Sequence, residues 1–491
     1  MNFVERTDQF FVGRIAFPAV NYLLNRRDIL GRCRKLLVTE HLPQEAVREL
    51  QFERLSAVLR HAYRWSPFYT RRFKEIGLAP GDIKTLEDVR RIPPLVRQDV
   101  VDHRRDMVDL RCREAVSAAE QASRAAGSPI SFARFRRHKL IRRSSSGSTG
   151  TPTVVYEDGS TTSLNWVHEL RLKHWFGLAP GAKEARMSVT SMEYAAKGKF
   201  SSAREWLWNQ MTLPGYFLSE HEYELCLRKI RKFRPRVLWG PTPALTGLAQ
   251  YARSAKADTS ACRPNLVISR AAPLYEPEKK LLMEVFGCPV TNIYGSKEVG
   301  HVSMICPQSS MHVNEENYLV ETDTDGVTRE SAGRGPGKIL ITPLFESPMP
   351  FLRYQIGDLA ELGTNDCACG RSLGTLKKIL GRIGEVFKTK EGHLIEPNFW
   401  CIAFEAGRLS QDVEKYQVVY RSNDRIRIRL VRRRGYSPET EADLRGFLAR
   451  NMPASIQFEF EYVDDIKPQP SGKYLFVVNE IDQQEAQPVL G

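Results

Sequence analysis

No stretch of this 491-residue chain approaches the ~20 consecutive apolar residues that span a bilayer, and its first residues lack the basic, apolar and small-residue succession of a signal peptide. Both absences lead to the expectation of a cytoplasmic protein without a transmembrane segment. Cysteine is sparse and odd in number, nine in all. That fits reduced thiols, with room for a metal site, better than a disulfide framework. Acidic side chains are in deficit, 58 against 72 lysines and arginines, for a formal charge of +14. No internal repeat is visible. No Gly-Lys-Ser/Thr follows a glycine-rich turn at Walker spacing, and no Gly-x-Gly-x-x-Gly opens a helix, so neither standard nucleotide fingerprint applies.

What is present is the run Arg143-Ser-Ser-Ser-Gly-Ser-Thr-Gly-Thr-Pro152, followed by the β-branched Val154-Val155. Gly147 and Gly150 allow positive φ, so successive N–H groups can turn toward one anion, and Ser145, Ser146, Ser148 and Thr149 add hydroxyl donors. Such a loop suits the phosphates of a nucleotide; a solvated linker has the same composition. The positive charge gathers in two clusters, Arg134 to Arg143 ahead of this loop and Arg421 to Arg434 near the C-terminus. Only Phe132 and Phe135 flank the first, too few aromatics for a nucleic-acid platform, so both read as solvated faces that also favour polyanionic substrates.

Four more segments follow the loop: Ile293-Tyr-Gly-Ser-Lys-Glu298, Arg353-Tyr-Gln-Ile-Gly-Asp358, Gly381-Arg-Ile-Gly-Glu385 and Pro470-Ser-Gly-Lys473. Five short motifs in this order, over roughly two-thirds of the chain, resemble the adenylate-forming superfamily of acyl-CoA synthetases, aryl-acid ligases and luciferases. The stretch Leu59-Arg-His-Ala-Tyr-Arg-Trp-Ser-Pro-Phe-Tyr69, together with Glu298-Val-Gly-His301, Cys306, His312 and Cys367-Ala-Cys-Gly370, resembles the phenylacetate-CoA ligase branch and its capsule-cluster relatives.

The resemblance implies a two-step reaction. A carboxylate attacks the α-phosphate of ATP to give acyl-adenylate and pyrophosphate, and a nucleophile then takes the acyl group. It assigns the β- and γ-phosphates to Ser145, Ser146, Gly147, Ser148, Thr149 and Gly150, with Thr153 where other branches carry a lysine. Tyr294 would lie on the adenine face, backed by Ala272 and Pro273; Ser296 would reach phosphate, and Glu298 would ligate Mg²⁺ as a hard oxygen donor. Asp358 would hold the ribose hydroxyls, Arg382 would contact the nucleotide, and Lys473 would bridge carboxylate and α-phosphate. Taken alone, each of these residues reads equally well as a turn or a solvated side chain. The family hinge usually carries an aspartate where this chain has Gly384, which keeps rotation possible but loses polar contacts.

Cys306, His312, Cys367 and Cys369 supply a sufficient set for a tetrahedral structural Zn²⁺, although Cys-x₅-His and Cys-x-Cys must meet across the intervening chain. The fold expected is α/β: a large body over 1–380 of sheet wound with helices, and a small mobile α+β lobe over 381–491. Within the body, 113–143 reads as an insertion or mobile arm. The expected activity is ATP-dependent, AMP-forming activation of an aromatic or hydrophobic acid with transfer to coenzyme A. The alternatives are an amide or ester synthase, acylation of an acidic carrier protein, and a nucleotide binder without turnover.

Overall fold

The computed structural model of the protein describes residues 12–16, 28–126, 130–135, 138–144, 153–188, 205, 207–215, 219–324, 327–329, 335–383, 385–390, 394–405, 409–467 and 475–481. Helices come first. Asp28 caps α1 (Ile29–Thr39) by accepting from the Gly31 N–H at 2.6 Å. Helix α2 (Gln44–Trp65) stops where Pro67 cannot continue its hydrogen-bond ladder, and that proline opens α3 (Pro67–Glu75) instead. Leu55, Val58, Leu59 and Ala62 recur at helical spacing along α2 and are buried in the body's core.

Helix α4 (Arg113–Ala126) occupies the front of the stretch expected to be a mobile arm, and it is docked. Ala115, Val116 and Ala119 are buried in the same core, and Glu120 accepts from the Tyr156 hydroxyl at 2.6 Å and from Arg104 at 2.9 Å. Small side chains here permit close approach of the helix to the core. Strands β1 (Ile130–Phe135), β2 (His138–Ser144) and β3 (Val154–Asp158) follow as an antiparallel sheet.

The next helix, α5 (Gly159–Trp175), is buried on nearly every face, charged residues included. Buried charges require partners. Arg171 sits between Glu40 at 2.7 Å and Glu316 at 3.0 Å, while Lys173 is paired with Glu184.

The sheet beside α5 has twelve strands. Its parallel half is β4 (Glu184–Ser188), β5 (Gln210–Pro214), β6 (Val237–Pro241), β7 (Leu266–Arg270) and β8 (Val290–Ser296). These strands alternate with α6 (Glu220–Phe233), α7 (Thr242–Ser254) and α8 (Glu276–Phe286), as the sequence pattern predicts. The antiparallel half is β9 (Gly300–Ile305), β10 (Met311–Val313), β11 (Tyr318–Thr324), β12 (Val327–Arg329), β13 (Gly337–Pro343), β14 (Tyr354–Gly363) and β15 (Thr375–Arg382).

Beyond β15 a small unit builds its own core from Trp400, Tyr420, Ile426, Ile428, Leu444 and Leu448. It contains β16 (Phe387–Lys388), β17 (Leu394–Ile395), α9 (Pro397–Glu405), β18 (Val413–Ser422), β19 (Arg425–Arg432), α10 (Pro438–Asn451), β20 (Gln457–Tyr462) and β21 (Val477–Asn479). The C-terminal basic cluster proves largely charge-matched. Arg425, Arg427 and Arg429 share one face of β19, and in the parallel register with β20 they meet Glu459 and Glu461. Among the described residues, no helix is long and apolar enough to cross a membrane.

Candidate active site

Strands β6, β7 and β8 run in register, with Pro241 beside Arg270 and Arg270 beside Ile293, so their C-terminal ends open together. In a parallel sheet this is the edge where ligands gather. Here it faces a cleft of about 2020 Å³, lined from the body by Ala272, Pro273, Tyr294 and Asp358 and from the small lobe by Tyr416 and Phe476.

The end of β8 delivers Tyr294 to this cleft. Gly295 follows at φ +158°, and a Cβ there would stand 1.9 Å from the Gly300 carbonyl oxygen, so glycine alone lets β9 fold back so tightly. Ser296 Oγ accepts from the Glu298 N–H at 3.2 Å and closes the turn. Glu298 is half-buried behind it, close enough to bear electrostatically on Arg382 and Tyr354.

Asp358 of β14 stands opposite Arg382 of β15 in the antiparallel register. Arg382 Nε lies 3.0 Å from Oδ1, and the Tyr294 hydroxyl donates to Oδ2 at 2.7 Å. The Asp358 carboxylate holds the Arg382 guanidinium above its ordinary value. Burial, then the same carboxylate, pushes the Tyr294 phenol well up, so it stays a neutral donor. Arg382 also donates to the Ile356 carbonyl at 3.0 Å, which fixes its plane.

Of the residues expected in the site, Ala272, Pro273, Tyr294, Asp358 and Arg382 converge on the cleft, whereas Ser296 and Glu298 stand at the turn behind Tyr294. Ser145, Ser146, Gly147, Ser148, Thr149, Gly150, Gly384 and Lys473 lie outside the described residues. The flanks of that loop are described: Ser144 pairs with Val154, so the segment joins two hydrogen-bonded antiparallel strands. Asn292 also lines the cleft and donates to Ser269 Oγ at 3.1 Å, which in turn lies 2.6 Å from Thr242 Oγ1. In sequence, the sole sign of Asn292 is an amide next to Thr291 in a short β-branched run.

A second cluster is apart from Tyr294 and Asp358. The ligand atoms of Cys306, His312, Cys367 and Cys369 all lie within 4.8 Å of one another. Cys306 Sγ and Cys367 Sγ are 3.7 Å apart, far too long for a disulfide and close to the ~3.8 Å edge of a tetrahedron with Zn–S bonds of about 2.3 Å. His312 Nδ1 is 3.0 Å from the Leu373 carbonyl, which can only accept, so the proton sits on Nδ1. The bare Nε2 then faces Cys369 Sγ at 3.1 Å. This donor set fits Zn²⁺ and would close its coordination sphere.

Comparison with known proteins agrees with this architecture. Residues 387–480 match the family described as the CapK C-terminal domain. A phenylacetate-coenzyme A ligase from Thermus thermophilus is 29% identical over 358 residues, covering 71% of this chain and 73% of that protein. Protein CapK from Staphylococcus aureus is 22% identical over 448 residues, covering 88% of this chain and 89% of its own. The crystal structure of 2-hydroxyisobutyryl-CoA ligase in the postadenylation state, in complex with R3-HIB-AMP, superposes with a TM-score of 0.69 at 18% identity, over 92% of this chain and 94% of that one. The chain is thus similar in sequence to the phenylacetate-CoA ligases and to CapK, and it shares the fold of 2-hydroxyisobutyryl-CoA ligase.

Proposed function

We propose that this protein is an ATP-dependent, AMP-forming acid ligase that converts a carboxylic acid to its acyl-adenylate and passes the acyl group to coenzyme A. The observation that carries the reading is Asp358, held by Tyr294 and Arg382 at the edge of a cleft lined from both body and small lobe. An aromatic ring and a carboxylate side by side suit an adenine face and two ribose hydroxyls. Carboxylate and triphosphate repel each other, so the reaction needs cations around the α-phosphate as it becomes five-coordinate. Arg382 supplies one, Lys473 a second, and Mg²⁺ held by Glu298 a third. Ser145 to Gly150 would cradle the outer phosphates, with Ser296 reaching in from the turn. The names of the phenylacetate-coenzyme A ligases support an aromatic acid. Cys306, His312, Cys367 and Cys369 would hold a structural Zn²⁺, whose chemistry is to cross-link the chain rather than to act on substrate. We divide the chain at residue 381, with body 1–380 and lobe 381–491, and read the protein as acting in the cytoplasm.

The test is ATP–pyrophosphate exchange with Mg²⁺ across aryl, fatty and amino acids. Acid-dependent exchange is expected, falling at least ~100-fold in Lys473→Ala. ATP binding without exchange for any acid would replace the reading with a nucleotide binder. The alternative acceptor is an amine, a sugar or an acidic carrier protein. Turnover to AMP that needs no coenzyme A would select it.

A further inference from the structure

Four aromatic rings run in contact from the body into the small lobe. Tyr275, just ahead of α8, meets Phe476 edge-on, with ring centroids 6.4 Å apart and planes at 89°. Phe476 meets Tyr416 of β18 at 5.9 Å and 71°, and Tyr416 stacks on Phe404 of α9 at 3.8 Å and 12°. Edge-to-face pairs attract because the positive edge of one ring faces the negative face of the next. Both ends of this ladder are fixed. The Tyr275 N–H donates to the Glu278 carboxylate at 3.0 Å across the first turn of α8, and Phe404 is buried in the lobe's core.

Phe476 stands close to the chemistry. Its carbonyl accepts from the Val418 N–H at 2.7 Å, and the Leu475 carbonyl accepts from Gln417 Nε2 at 2.9 Å. Leu475, Phe476 and Val477 line the same cleft as Tyr294, Asp358 and Arg382. Lys473 is three residues before Phe476, within about 11 Å even along a fully extended chain. On the body side, Tyr275 follows Ala272 and Pro273 by three and two residues. The contact thus ties the segment proposed to back the adenine to the one that leads out of Lys473. Lys378 of β15 also reaches Glu396 across residue 381, but that pair is half exposed and contributes little. The connection itself carries glycine at 384, which offers no side chain to hold an orientation.

We propose that Tyr275 is a positioning residue: its ring clasps Phe476, holds the small lobe against the body and so keeps the Lys473 segment at the cleft while the acyl-adenylate forms. The inference rests on the acid-activation reading and adds what sets the lobe for the first step. An edge-to-face pair biases an equilibrium by a factor of about 2–10, enough to favour one orientation and little enough to be undone in every turnover. Transfer of the acyl group from a finished adenylate does not need the clasp.

The experiment measures the two steps apart. Pyrophosphate exchange is followed with the same aryl, fatty and amino acids, and transfer is followed by supplying the ready-made adenylate of the best acid together with coenzyme A. Tyr275→Ala should slow exchange about 10-fold through kcat, with the KM for ATP within ~3-fold, and leave transfer within ~2-fold. Tyr275→Phe keeps the ring and should hold exchange within ~2-fold of the wild-type rate. Phe476→Leu, made from the lobe side, should cause the same loss, and the double variant should lose no more than either single one, because one contact is removed twice. A raised KM for ATP at unchanged kcat makes Tyr275 a nucleotide contact and overturns the clasp; so do equal losses in both steps, or losses that add. Hydrogen exchange read by mass spectrometry follows the contact without turnover. Tyr275→Ala should speed it about 5-fold in the lobe peptide containing Phe476, and Phe476→Leu should do so in the body peptide containing Tyr275. That response, without pyrophosphate exchange for any acid, keeps the clasp and sinks acid activation. Pyrophosphate exchange that neither variant alters sinks the clasp alone, and the absence of both responses sinks both.

Discussion

Replacing Asp358 by asparagine tests the nucleotide site at its most constrained point. The carboxylate holds the Tyr294 hydroxyl on one oxygen and Arg382 on the other. If its remaining lone pairs accept the two ribose hydroxyls, each such bond to a charged acceptor contributes about 1.5–3 kcal/mol. Asparagine keeps the shape, retains one neutral acceptor and loses the charge, so the loss should be about 2–4 kcal/mol, or roughly 30- to 1,000-fold in kcat/KM for ATP. The assay is pyrophosphate exchange with ATP and with 2′,3′-dideoxy-ATP. Wild-type protein should discriminate against the dideoxy nucleotide by a comparable factor, and Asp358→Asn should discriminate by no more than ~10-fold, because only one neutral acceptor is left for those hydroxyls. Tyr294→Phe is the control: it frees Oδ2 yet keeps the ring, so its loss should stay below ~10-fold. If Asp358→Asn slows both nucleotides equally, the aspartate acts by holding Arg382 and Tyr294, and the ribose assignment is refuted.

The buried triad predicts a large stability effect. In Arg171→Met, Glu40 keeps Trp175 and Arg371, but among the described residues the Glu316 carboxylate keeps only Thr39 Oγ1, so the first unfolding transition should lose about 3–5 kcal/mol in urea titrations at pH 7. A loss under ~1 kcal/mol would mean the pair contributes no more than a surface contact. Burial lowers the His301 pKa to about 4 from the ordinary 6.5, so the unfolded chain binds the extra proton first, and stability should fall as pH drops between those values. The contribution is about 1–3 kcal/mol. His301→Gln should flatten that slope, and an unchanged slope would assign it to other groups. Protein purified without chelator should contain one zinc per chain by mass spectrometry. Cys369→Ser should lower the zinc content and the Tm while leaving the KM for ATP within ~3-fold; a metal-free protein of unchanged Tm would remove the site.

Much of this architecture is readable locally. The parallel strands are short β-branched or apolar runs, such as Leu266 to Ile268, bounded by turn residues and separated by helical spacing. Tyr294, Asp358 and Arg382 sit in motifs whose order is visible in one dimension, and the structure brings them within hydrogen-bonding distance of one another. Contacts that depend on distant register are not readable in this way. Helix α5 carries His168, Glu169, Arg171 and Lys173 around its circumference, and all are buried because their partners come from Glu40, Glu184, Arg186, Glu316 and Asn317. The arginines of β19 read as a free basic patch until β20 places glutamates beside them. Likewise Trp166, Arg186, Trp239 and Arg270 have no common spacing; only the sheet puts them in one row.

The cysteine cluster and the nucleotide site belong to one hairpin, which decides how strongly they can influence each other. Cys367 and Cys369 lie in the connection between β14 and β15, and the same two strands carry Asp358 and Arg382 toward their other ends. That connection is anchored independently of any metal: Ser372 N–H donates to the Glu40 carbonyl at 2.9 Å, and Arg371 Nε reaches the Glu40 carboxylate at 3.1 Å. The His41 ring meets the Gly370 carbonyl at 3.0 Å. Between cluster and nucleotide site, β14 also pairs with β13 and β15 with β10, so a disturbance at the loop is resisted by neighbouring strands on both sides. At about 3.4 Å per residue, the distance from Gly363 back to Asp358 is roughly 17 Å. Loss of the metal should therefore register as lost stability of the loop and of α1 beside it. A charge change at Asp358, by contrast, acts directly on Tyr294 and Arg382 and, on the reading proposed, on the ribose. A cluster placed at the closed end of a hairpin sets where its strands stand, while the chemistry belongs to the open end.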